Sequence, residues 1–291
     1  MSGVQQIPQV PQLPQVPQAE TPRARGPLLS SRNVGLAILA LIVVGAVIIP
    51  WILADRLETR LGDALLGPSL SHPFGTDPVG RDLFARVAEA ARTDVTVAVV
   101  GVLLSAVIGG MIGVVVGYSR GRWSGLLMRG LDAFQAFPLL VFALLLLAFV
   151  GGGVSTLIIA VGFVNIPIFI RLVRAETLAA SRLPYVDAAT CVGCSTPRIL
   201  WRHILPNVLT GALTQTTTAA GYAIILVGAL GFLGVGTDPG AAEWGVMIQE
   251  GVQYMTSGQW WLIAFPGVAI VVTVVALQMV GESVVKARRV R

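Results

Sequence analysis

Residues 33–54 read NVGLAILALIVVGAVIIPWILA, a run without a single charge. Crossing the roughly 30 Å hydrocarbon core of a bilayer takes about 20 apolar residues in a helix, so this run is long enough to span, with Trp51 placed as an interfacial anchor. The rest of the chain has the same character. Of 291 residues, 55% are hydrophobic and 12% charged, at a mean hydropathy of +0.79. A soluble domain carries about 25% charged residues. Five more stretches qualify as spans: 95–118, 130–150, 153–170, the longer and more polar 206–233, and 261–281. The expected fold is therefore an all-α polytopic membrane protein with six transmembrane helices.

Orientation follows from the basic residues, which are retained on the cytoplasmic side. With the N-terminus inside, fifteen of the twenty basic residues but only five of the fifteen acids fall in cytoplasmic segments. The 234–260 loop has no basic residue, and the five arginines of the 55–93 loop are accompanied by six acids. Both termini are expected in the cytoplasm. The net charge of +5 thus reports membrane topology rather than nucleic-acid binding. No cleavable signal is expected at the start of the chain. Residues 5–18, QQIPQVPQLPQVPQ, favour solvated polyproline II, and residues 1–31 read as a disordered cytoplasmic tail. The organisation expected beyond it is a first span and extracytoplasmic loop over 32–93, then a transmembrane domain over 94–291.

The span interiors are nearly free of ionisable groups, Asp132 being the exception. Proton- or ion-coupled carriers keep a costly carboxylate or histidine near the midplane, and a membrane hydrolase needs a nucleophile with a base or a metal. The two histidines, His72 and His203, fall on opposite sides of the bilayer and assemble neither a metal cluster nor a Ser–His pair. Gly109, Gly113 and Gly117 recur every four residues on the second span, a helix-packing seam. Thr214, Thr217 and Thr218, with Gln215, form a polar stripe on the fifth span. It serves either interhelical hydrogen bonding or the lining of a polar passage, because lipid satisfies no hydroxyl. Trp244, Trp260 and Trp261 suit an outer interfacial belt, and Asp77, Gly80, Arg81 and Asp82 suit local ion pairing in the outer loop.

One stretch stands apart: PYVDAATCVGCSTPRILWRHILPN, residues 184–207. Asp187 lies near the positive end of a helix beginning at Pro184. Gly193 interrupts that helix, and a second can start at Pro197, whose missing N–H is harmless in a first turn. Two short helices are expected at the cytoplasmic interface between spans four and five. Cys191 and Cys194 invite a redox or zinc reading. Structural zinc wants four ligands, and cytosol keeps thiols reduced, so they are read as small packing residues.

The pattern Asp187-Ala188-Ala189, then Gly193, then Ile204-Leu205-Pro206 resembles the "EAA" loop of bacterial ABC importer permeases, with aspartate in place of glutamate. HPFGTDPVGRDLFARVAEAAR (72–92), ALGFLGVGTDPGAAEWGVMIQEG (229–251) and WWLIAFPGVAI (260–270) resemble the C-type subunit of the oligopeptide/dipeptide/nickel branch. The resemblance covers roughly residues 70–290. It implies a bacterial inner-membrane permease subunit without an ATPase site of its own. It also implies a heterodimer with a second homologous permease, one or two cytoplasmic ATPases holding ATP and magnesium, and an extracytoplasmic substrate-binding protein delivering di- or oligopeptides. The 184–206 loop would dock on an ATPase through Asp187, Ala188, Ala189, Gly193, Arg198, Ile204, Leu205 and Pro206. No cofactor is expected on this chain itself. Nickel or another small solute is the alternative cargo, and a stand-alone secondary transporter or channel the alternative class.

Overall fold

The computed structural model describes residues 31–58, 61–119, 121–237 and 240–289. The tail expected over 1–31 lies outside them, apart from Ser31, the first residue of helix α1 (Ser31–Ile52). Among the described residues the regular structure is helical, with one isolated bridge between Thr76 and Asp82. Helix α2 runs Leu83–Tyr118, 36 residues or about 54 Å at 1.5 Å per residue. That is far more than the hydrocarbon core needs. The expected 95–118 span therefore gains about three turns at its N-terminal end. They start where the Asp82 carboxylate accepts the Ala85 N–H at 3.1 Å, an N-cap that fixes the helix origin.

The stretch 130–150, expected as one span, is instead two helices, α3 (Arg122–Gln135) and α4 (Leu139–Val150), bent by 85°. Pro138 lies in the break. Its ring disfavours helical backbone at the preceding Phe137, and it offers no N–H to continue the ladder. Helix α3 turns Ser124 inward, where the hydroxyl accepts the Arg174 Nε–H at 3.1 Å, and leaves Arg122, Trp123, Leu126 and Arg129 exposed. Helix α5 (Val154–Ala180) overruns the expected 153–170 span by ten residues. Short α6 (Pro184–Cys191) and α7 (Thr196–Arg198) follow, then α8 (Leu205–Phe232), α9 (Trp244–Val252) and α10 (Trp261–Arg289). Five of the described helices or joined helices are long and apolar enough to cross a membrane, and six if the bent α3–α4 pair is one crossing.

The centre of the molecule is the α2–α5 contact. Gly101, Ser105, Gly109, Gly113 and Gly117 recur every fourth residue on α2, all buried. A Cβ placed on Gly109 would lie 2.8 Å from the Ile166 carbonyl oxygen; on Gly113, 2.9 Å from that of Ile170; on Gly117, 2.8 Å from that of Arg174. The partners advance by one turn of α5 for each turn of α2, in the same sense, so the two helices run parallel at backbone contact. The broken α3–α4 pair is thus what returns the chain between them. On the other side α8 and α10 run antiparallel: Gly221 faces Gln278, and Gly228 faces Ile270.

The seam makes a testable distinction. Gly109→Val should destabilise the folded chain by about 1–3 kcal/mol or more, the usual cost of overpacking a filled interface. Neighbouring Gly110, where an added Cβ meets nothing within 4 Å, should accept Ala with little change. Thermal unfolding of both variants in lipid nanodiscs checks this; equal losses would contradict the seam.

Candidate functional sites at the two faces

The 184–207 stretch folds as an elbow. Pro184 occupies the first turn of α6, and Asp187 joins it there, at the positive end of the helix. The helix is stopped by Gly193, whose φ is +76°. The Cys194 N–H reaches back to the Ala189 carbonyl at 3.0 Å, and the Gly193 N–H to that of Thr190 at 3.0 Å. This is a Schellman closure, which needs a left-handed residue and so favours glycine. The two cysteines therefore do not share a helix face. Cys191 ends α6 and is exposed; Cys194 lies beyond the stop and is half-buried.

The second short helix differs from expectation. Thr196–Arg198 passes without a break into a π turn, Ile199–Ile204, and on into α8. The Leu205 N–H bonds the Leu200 carbonyl, five residues back. The cause is Pro206: it has no N–H for the Arg202 carbonyl, and its ring would press on that group in a regular helix. Widening the turn relieves both, as π turns do inside longer helices.

The elbow residues divide by exposure. Asp187, Ala188, Gly193, Arg198 and Pro206 face outward, Leu205 is half-buried, and Ala189 and Ile204 are buried. Ala189 and Ile204 join a second apolar cluster with Val114 of α2, Val173 and Ala180 of α5, and Val208 and Ala212 of α8. Asn207 adds a polar tie, donating to the Tyr185 hydroxyl at 3.0 Å. A small exposed surface is thereby keyed into the ends of three long helices.

The polar stripe of α8 is only half-buried. The Thr214 and Thr217 hydroxyls donate to backbone carbonyls of their own helix, to Thr210 at 3.1 Å and Thr214 at 2.9 Å. Gln215 is likewise half-buried. Thr217 and Thr218 lie against Gly281 of α10, where an added Cβ would be 2.6 Å and 3.5 Å from their hydroxyl oxygens. The structure thus brings Thr217 and Thr218 to a helix–helix contact.

The face opposite the elbow is held by charges. Asp77 is 1% exposed and receives Arg81 Nε at 2.7 Å and Arg86 Nη1 at 2.8 Å. Arg86 also reaches Glu250 at 3.3 Å and the carbonyls of Gly240 and Ala241 at 3.2 and 3.3 Å. One buried guanidinium thus joins α2, the 72–82 segment and the 240–250 region. Asp82, besides capping α2, meets His72 Nδ1 at 2.9 Å. Gly80 turns this segment at a φ of +81°.

Two of the three tryptophans expected in an interfacial belt are core residues instead. Trp244 is 1% exposed, its indole N–H donating to the Val87 carbonyl at 3.0 Å. Trp261 is 9% exposed and donates to the Thr76 carbonyl at 3.3 Å. Trp260 alone remains outward. The indoles fill buried space, and their N–H groups find backbone carbonyls as acceptors.

Two acids that sequence reasoning passed over meet at the start of α9. Asp94 projects from α2 and accepts the Trp244 N–H at 3.1 Å. Glu243 caps α9 by accepting the Gly245 N–H at 3.1 Å. Its position directly before a Trp-Gly helix start was the only available signal. Burial pushes the Glu243 carboxyl up to about 7, against the lowering effect of the Gly245 and Thr237 hydrogen bonds.

Comparison with known proteins agrees with this architecture. Residues 109–289 match the family described as binding-protein-dependent transport system inner membrane component. A Brucella suis biovar 1 protein, provisionally named a peptide transport system permease, is 39% identical over 253 residues, covering 87% of this chain and 85% of its own. The dipeptide transport system permease protein of Alkalihalophilus pseudofirmus is 37% identical over 254 residues, covering 85% and 83%. The glutathione transport system permease protein of Escherichia coli O6:K15:H31 is 37% identical over 244 residues, covering 83% and 80%. Among solved structures, the inward-facing MetNI methionine ABC transporter shares the fold at a TM-score of 0.57 and 18% identity, over 69% of this chain and 95% of that one. A multi-pass helical chain with that match over its last two thirds belongs to the binding-protein-dependent inner-membrane components, the permease subunits of bacterial ABC importers.

Proposed function

We propose that this chain is the membrane subunit of an ATP-driven importer of di- or oligopeptides, moved by ATPases that dock on the α6 elbow. The observation that carries the reading is the two-sided build of α6. Its outer side offers Asp187 and the small Ala188; its inner side, through Val186 and Ala189, packs with the ends of α2, α5 and α8. A push or pull on the exposed side is delivered to packed helices, and these shift between discrete arrangements rather than deform. The energy then enters at the cytoplasmic face. Both termini lie in the cytoplasm, as the arginine distribution indicates. A second, homologous permease completes the passage, and an extracytoplasmic binding protein delivers cargo at the face organised by Asp77 and Arg86. The half-buried Thr214 and Gln215 are the stripe residues best placed to line that passage.

Peptide cargo is supported by what the relatives are named for: dipeptides in one, glutathione in another. The test is reconstitution in proteoliposomes with the companion permease, ATPases and binding protein. Labelled dipeptide should accumulate only with ATP and binding protein together. Uptake by this chain without ATPases would overturn the importer reading, and uptake of nickel but not peptide would overturn the cargo.

Docking has its own test. Ala188 is exposed and in regular helix, so Ala188→Trp should leave the chain folded and inserted. It should cut ATP-driven uptake at least tenfold while ATP hydrolysis continues. Gly193→Ala is a weaker probe, because the left-handed backbone at +76° costs an alanine about 1 kcal/mol in this chain alone. Wild-type uptake in the Ala188→Trp protein would remove the docking role.

A further inference from the structure

We propose that Asp94 and Glu243 hold one proton between them, and that this proton locks α9 onto α2 and α8 at the outer face. Both carboxyl groups are sealed from solvent: Asp94 is 1% exposed and Glu243 0%. They converge on the same helix end. Asp94 Oδ2 accepts the Trp244 N–H at 3.1 Å, and Glu243 Oε1 accepts the next N–H, that of Gly245, at 3.1 Å. A helix N-terminus offers the equivalent of about half a positive charge. That favours one carboxylate and does not compensate two. The two acids act on each other electrostatically, and like charges sharing a dry site resist joint ionisation.

The remaining atoms tell the same story. Asp94 Oδ1 is buried and has no hydrogen-bond partner among the described residues, whereas an acid proton needs such an acceptor or supplies the missing donor. Glu243 Oε2 takes the Thr237 hydroxyl at 3.2 Å. The Glu243 carboxylate also presses on Gly231 of α8, where any Cβ would collide with it, and Gly245 presses on the Gly228 carbonyl. Three helices therefore meet at the pair.

No described cation answers these charges. Arg86, two turns earlier on α2, is engaged by Asp77, Glu250 and the carbonyls of Gly240 and Ala241. Arg92 is exposed, and Glu89, half-buried on the same helix, adds only negative charge. Facing α8 contributes glycines at 228 and 231. The elevated value of about 7 at Glu243 fits a proton retained into the neutral range. The sign follows from linkage. The folded form keeps a proton that the unfolded chain releases near the ordinary carboxylate value, so stability falls as pH rises toward about 7 and levels off above it.

The test uses the full chain in lipid nanodiscs. Infrared spectra should show a protonated carboxyl band at pH 6 that disappears with a midpoint near 7. The band should be absent from Asp94→Asn and from Glu243→Gln, because one neutral partner frees the other to ionise. In parallel, the wild-type Tm should fall between pH 5 and about 7, a slope that Glu243→Gln flattens and Glu89→Gln leaves intact. A wild-type spectrum without the band, or an unchanged slope in Glu243→Gln, overturns the proposal. So does a Tm restored above pH 7 by calcium or magnesium, which would make the occupant a metal ion.

Discussion

The close parallel approach of α2 and α5 is the constraint on which the remaining structure depends. In lipid, helix association gains little from the hydrophobic effect, since the tails are as apolar as the side chains. Association must come from dispersion at short range, and that requires one helix to lack side chains along the contact. Gly101, Gly109, Gly113 and Gly117 supply this, with the small Ser105 between them turning its hydroxyl to its own helix at 2.8 Å from the Val102 carbonyl. Because the pair is parallel, the chain has to cross back between them. It does so through α3 and α4, broken at Pro138.

From that spine both faces are built by different means. At the elbow end the material is apolar: Val114, Val173 and Val208, from three long helices, close over Ala189 and Ile204 of the elbow. The small size of Ala189 lets α6 lie close, and the π turn before Pro206 lets α8 begin without leaving the cluster. At the opposite end the material is ionic. Asp77 and Arg86 are both buried and paired at 2.8 Å, and the Gly240 and Ala241 carbonyls accept from Nη2 of the same guanidinium. Such a pair adds little net stability against an apolar alternative. Removing one partner would strand the other in a dry site. Its effect is to fix how the 72–82 segment sits on α2 and on the 240–250 region.

The elbow and the junction at the opposite end also differ in how far the residues announced them. Asp187, Ala188, Ala189 and Gly193 were recognisable as a spaced pattern, and Gly193 as a helix interruption, because a left-handed stop leaves a glycine in the sequence. Trp244 and Trp261 misled. An indole reads equally well as an interfacial anchor or as a core residue with one polar atom to satisfy, and only the positions of the Val87 and Thr76 carbonyls decide between these. Asp94 and Glu243 were invisible as a pair for a related reason. They are separated by 149 positions, and nothing local marks either as buried.

What the sequence determined by itself is whatever depends on local pattern and length. Apolar runs set the helical, membrane-spanning class; arginine placement indicates the sidedness; glycines four apart predict a packing face. The tertiary structure decided which faces meet. It made α2 and α5 parallel, sent Thr217 and Thr218 against α10, continued the elbow into α8 through a π turn, and brought two distant carboxyl groups onto one helix end. Those outcomes depend on contacts between residues far apart in the chain, where burial and geometry rather than residue type set the chemistry.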